Sequence, residues 1–181
     1  MNLLVITKEQ AAKEQLLTAV KLWFSSPFDP VSVHTLVGAA HNCYHALSSS
    51  KGMPSLYKTW LDNQSRLVYD QVQYAEEFFK HGQKDLKGEA YLDRNATDIK
   101  LLDCIRCHDY LFHEVPHLYM CFLMRFAAER PWDAALNGVY SQGPLKLTKE
   151  LREISRPNFL AKILPIVRSK PVASAYGKPS V

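Results

Sequence analysis

Three histidines, His34, His41 and His45, follow one another at offsets of seven and four. At 100° per residue these offsets hold all three within about 40° of one helix line. Imidazoles stacked in this way can ligate a divalent metal, and a pair at i,i+4 is a recurring half-site. The same donors can instead hold a polar or anionic ligand. Gly38 lies on the same line and leaves room there for a ligand or another chain segment. Residues 41–45 read HNCYH, without the glutamate of the H-E-x-x-H zinc helix. The row also borders an apolar stripe, where amphipathic side chains serve as boundary residues of a core.

A second constellation reads Cys104-Ile105-Arg106-Cys107-His108. The letters spell the c-type haem attachment pattern. That chemistry belongs to exported proteins and no export signal is read here, so haem is not expected. Adding His117 and Cys121 completes the ligand types of tetrahedral zinc. The first two cysteines fall inside an amphipathic helical pattern, however, where a free thiol packs as a small hydrophobe. In a third constellation Arg106, Asp109 and His113 share a helix face at offsets of three and seven. Arg106-x6-His113 resembles the R-x(4–6)-H pattern of HEPN-type helical domains. That resemblance implies an RNA-cleaving pair brought together at a dimer interface. Arg106 would hold phosphate bidentately and His113 would move the proton. The plainer alternative is a surface ion pair between Arg106 and Asp109 beside a solvated histidine.

Two stretches, Asp29-Pro-Val-Ser-Val-His-Thr-Leu-Val-Gly-Ala-Ala-His41 and Glu77-Phe-Phe-Lys-His81-Gly, carry a broader likeness. Together they resemble an uncharacterised family of small bacterial helical proteins with DPVSVHTL-x-x-AAH and NFFKHA motifs. The likeness covers mainly residues 15–85 and implies no established activity. The family pattern places Arg-Asn ahead of Phe-Phe-Lys-His, where this chain has Glu76 and Glu77. A carboxylate there repels phosphate rather than holding it. His34, His41, Lys80 and His81 all lie in the matching stretches. If the second and third helices pack together, these groups converge on a polar pocket fit for a carboxylate, phosphate or nucleotide. Lys80 and His81 would sit at the negative end of a helix dipole, which favours a cationic imidazole. Phe79 could stack on a base. The competing reading makes Lys80 and His81 a simple C-terminal cap pair.

The elements that must position these groups are helices. Thr7-x-x-Gln10 is a capping box ahead of Ala12, Leu16, Val20 and Trp23 at helical spacing. Asp29-Pro30 starts a second helix, closed by Ser48-Ser49-Ser50-Lys51-Gly52. A third runs from Ser55 to Phe79, with a break possible at Asp62-Asn63. Asn95 with Asp98 starts a fourth and Pro116 a fifth. Thr148 and Asn158 open short terminal helices. The 181 residues are 47% hydrophobic and 22% charged, which excludes wholesale disorder and suits one domain. The net charge of +4 permits an anionic ligand or nucleic acid without demanding one.

No stretch reaches the roughly 18 apolar residues of a membrane helix, so no membrane association is expected. The run Leu3–Ile6 lacks the features of a signal peptide. The expected compartment is the cytoplasm, with Cys43, Cys104, Cys107 and Cys121 reduced. The expectation is an all-α, single-domain antiparallel bundle of five to seven helices over residues 1–168, with a flexible tail over 169–181. The aromatic content, 11%, suggests a homodimer interface. Three functions follow. The first is binding of a small anionic or nucleotide-like ligand at His34, His41, His45, Lys80 and His81. The second is a HEPN-type ribonuclease or toxin component using Arg106 and His113. The third is a divalent-metal protein using His34, His41 and His45.

Overall fold

The computed structural model describes residues 3–80, 87–130 and 149–177. These form eight helices and no strand. Helix α1 spans Lys8–Trp23, α2 Pro30–Ser49, α3 Leu56–Asp62, α4 Arg66–Lys80, α5 Arg94–Phe112 and α6 His117–Glu129. Two further helices, α7 (Lys149–Glu153) and α8 (Arg156–Arg168), close the chain. No helix among the described residues is long and apolar enough to cross a membrane.

Local sequence explains most of these boundaries. Thr7 and Gln10 form the reciprocal capping box, with Gln10 N donating to Thr7 Oγ1 at 3.1 Å and Thr7 N to Gln10 Oε1 at 2.9 Å. Asp29 caps α2 through Ser32 N at 3.0 Å, with Pro30 at the first helical position. The break after Asp62 divides the expected third helix into α3 and α4. At α5 the cap is Asp93, which accepts from Asn95 N at 2.7 Å. Asn95 and Asp98 had suggested a start two residues later. Asp98 instead points inward and accepts from the Trp23 indole at 2.7 Å. Ser155 caps α8, with Pro157 in its first turn, three residues before the Asn158 start expected.

Helix α5 is the centre of the bundle. Every residue from Ala96 to Ile105 is buried. Its apolar positions Ile99, Leu101, Leu102 and Ile105 join the core built by Leu16, Val20 and Trp23 of α1, Val33 and Val37 of α2, and Phe122 of α6. Trp23 meets Phe24 and Phe122 edge-on, with ring centroids 4.9 and 4.8 Å apart. Helix α2 packs against α5 in parallel, because His34 meets Thr97 while Tyr44 meets His108. Helices α3 and α4 supply the return connection that parallel neighbours require. After α8 the chain runs back to α5, where Ala175 N donates to Asp109 Oδ2 at 2.9 Å.

Candidate functional site

The buried face that α5 turns to α2, α3 and α4 is polar, and its partners come in layers one helical turn apart. In the first, His34 Nδ1 and Thr97 Oγ1 lie 2.9 Å apart and the His34 ring is 5.6 Å from Phe79. The expected approach of the second helix to the Phe79 segment is therefore present. Lys80 ends α4, but its side chain and His81 lie outside the described residues. In the second layer Lys100 Nζ donates to Glu76 Oε1 of α4, and the Tyr57 hydroxyl donates to the same oxygen. The ammonium also stands 4.3 Å over the Tyr57 ring.

Asp103 organises the third layer. Its Oδ2 accepts from His41 Nε2 at 3.0 Å, Ser55 Oγ at 2.7 Å and Tyr57 N at 3.2 Å. Its Oδ1 accepts from Leu56 N and from Arg106 Nη1, each at 3.0 Å. The carboxylate therefore caps the first turn of α3 across space and holds His41 and Arg106 on its two oxygens. Burial alone would raise its pKa. The hydrogen bond and charge of His41, then Ser55 and Arg106, bring it below the ordinary carboxylate value instead. Donating from Nε2 to the carboxylate fixes the proton of a neutral His41 there and leaves the Nδ1 lone pair on the far side of the ring.

His45 is half-buried, with its ring stacked on that of His41 at 5.8 Å and its Nδ1 2.8 Å from Ser49 Oγ. Because α2 and α5 run parallel, the turn beyond His41 and Asp103 carries His45 on one helix and Arg106 on the other. Trp60 is half-buried and stacks on Tyr57, whose ring edge meets His41. His41 and Arg106 thus share the Asp103 carboxylate, and the His45 and Tyr57 rings both meet that of His41.

His34 stands apart from this group. Two helical turns, about 10 Å, separate it from His41, so one ion cannot take both rings. Among the described residues no group of three or more His, Cys, Asp or Glu is arranged to hold a metal. Cys104 directs its thiol to the Val37 carbonyl, and burial raises its pKa well above the ordinary value. Cys107 and Cys121 are likewise pushed up to about 11 by burial. All three are packed, protonated thiols, as their helical spacing allowed.

Arg106 pairs with Asp103, not with Asp109 as the surface ion-pair reading had it. Asp109 is fully buried instead, beneath Ala175. His113 caps α5 in the left-handed region, φ 53°, and its backbone N–H donates to the Asp109 carbonyl at 2.8 Å. Among the described residues no hydrogen bond or ring contact joins Arg106 to His113. The residue that sequence reasoning missed is Asp103, whose one available signal was its place a turn before Arg106 on the same face. Comparison with family models, with curated proteins and with solved structures finds no match for this chain.

Proposed function

We propose that the chain is a binding protein for a small phosphate-bearing, nucleotide-like molecule, held where α2 and α5 meet by His41, His45 and Arg106. The observation that carries this reading is the shared carboxylate of Asp103. It sets an imidazole from α2 and a guanidinium from α5 side by side at the edge of the core. Arginine presents a planar fork suited to phosphate oxygens, and the imidazoles add donors beside it, His41 through Nδ1 in its protonated form. The anchored guanidinium is pre-organised, which lowers the entropy lost on binding. Trp60 offers a face on which a base can stack. His34, seated on Thr97, supports the neighbouring layer and is not assigned a ligand contact.

Thermal-shift and calorimetric titrations with inorganic phosphate and nucleoside mono- and triphosphates test the reading. A nucleotide should stabilise the wild type. His45→Ala, which leaves the core intact, should weaken binding about tenfold, or about 1.4 kcal/mol. Absence of a shift with every probe, or equal shifts in wild type and variant, would refute it. The ribonuclease reading has less support, since among the described residues no hydrogen bond or ring contact brings His113 to Arg106. Cleavage of total RNA by wild type, lost in both Arg106→Ala and His113→Ala, would restore it.

A further inference from the structure

Beyond α8 the described chain is irregular, with a turn at Ala175-Tyr176, and residues 171–177 alternate in exposure. Val172, Ser174 and Tyr176 are half-buried, while Pro171, Ala173 and Ala175 are exposed. Its inward side lies against α5. Ala175 N donates to the buried Oδ2 of Asp109 at 2.9 Å, and the Tyr176 ring meets Tyr110 edge-on at 5.3 Å. Burial raises the pKa of the Tyr176 hydroxyl, and the nearby Arg106 guanidinium acts against that rise. The Tyr176 backbone N–H turns locally onto Ser174 Oγ at 3.1 Å. Arg106, 13% exposed in its side chain, is thus held from below by Asp103 and met from above by Tyr176.

We infer that residues 171–177 form an intramolecular strap over Arg106 that competes with the proposed ligand for the guanidinium. The inference rests on the phosphate reading for the identity of the competitor, but the cover itself stands on the contacts above. A non-helical segment with so few anchors opens locally at far lower cost than the helices beneath it. Lifting it uncovers the guanidinium beside which Tyr176 now stands, while Asp103 continues to hold the group in register. The coupling is reciprocal: a ligand that takes Arg106 must loosen the strap, and loosening the strap must strengthen the ligand by the same factor.

The test uses the full-length chain. Ala175→Pro removes the N–H that reaches Asp109, and Tyr176→Ala removes the contact with Arg106. The double variant and Tyr176→Ala alone are compared with wild type, the single change serving if the proline perturbs folding. Arginine labelling by phenylglyoxal, followed by mass spectrometry, reads Arg106 against the exposed Arg66 of the same molecule (83% side-chain exposure). Labelling of Arg106 relative to Arg66 should rise about fivefold in the variants, and nucleotide affinity should rise by a similar factor. Unchanged relative labelling would overturn the strap. Faster labelling with unchanged nucleotide affinity would overturn the competition. Faster labelling with no nucleotide binding to any form would uphold the cover over Arg106 and refute the phosphate reading instead.

Discussion

Burial holds the His108 imidazole neutral, with its pKa lowered to about 4 by desolvation first and by the nearby Lys13 ammonium second. Its Nδ1 faces the Tyr44 hydroxyl at 2.9 Å, and Nε2 lies 3.3 Å from Glu114. An unfolded histidine titrates near pH 6.5, so between about pH 6.5 and 4 the unfolded chain binds the extra proton. Stability should therefore be complete above pH 6.5 and fall by up to about 3 kcal/mol as the pH drops to 4. Urea unfolding of wild type and His108→Gln at pH 7 and pH 5 checks this. The variant should lose most of the pH slope, and an equal slope in both would assign it elsewhere. Position along the helix decided much of what could be read from single residues. The offsets of His34, His41 and His45 were legible as one face, as was the packing role of Cys104 and Cys107. That His41 would find a carboxylate was not legible, because the partner lies 62 residues away on another helix.

Seven residues are too few for a stable isolated helix, so α3 depends on its surroundings. Ser55 caps it locally through Lys58 N at 3.0 Å, while Asp103 takes the two preceding N–H groups. The carboxylate arriving from α5 supplies what the short segment cannot. Asp103→Ala should cost about 3–5 kcal/mol, since it strands Arg106 and His41 as well as the cap. Ser55→Ala should cost less, about 2–3 kcal/mol, from the lost cap and the lost bond to Asp103 together. Denaturant midpoints give the two values. Hydrogen exchange should accelerate first at the amides of α3 in the Asp103 variant, and uniform acceleration across all helices would argue against a local cap. The caps at Thr7 and Asp29 were readable because each partner lies three residues on. The start of α5 was misplaced because Asn95 and Asp98 imitate a cap, while Asp98 is recruited by Trp23 in the core.

Amphipathic periodicity made the all-α class legible for the molecule as a whole. It gave no sign that α2 and α5 run parallel, or that the central helix would bury Asp98, Lys100, Asp103, His108 and Asp109. Periodicity assigns polar residues to water; these find partners across helices instead, at distances no local pattern encodes. One end of the bundle shows the consequence for assembly. Arg156, opening α8, sets its guanidinium 3.6 Å over the Trp23 ring of α1 and donates through Nη2 to Glu129 of α6 at 2.8 Å. The same nitrogen lies 3.5 Å from Asp98 of α5, which also receives Arg130 at 3.0 Å. One side chain therefore joins four helices through a planar fork and a stacked face, and lysine can reproduce neither. Arg156→Lys should cost about 2 kcal/mol and lower Tm by about 4–8 °C at this chain length. Burial would raise the Glu129 carboxyl, but the hydrogen bond and charge of Arg156, then those of Arg125, hold it below its ordinary pKa of 4.5. That contribution is complete above pH 4.5 and is lost as the pH falls through the lower folded value. The part of the gap between wild type and Arg156→Lys that comes from Glu129 should therefore narrow below pH 4.5, while the part from Asp98, whose carboxyl burial holds above its ordinary value, fades at higher pH. A constant gap down to pH 3 would mean that Arg156 acts through Trp23 alone.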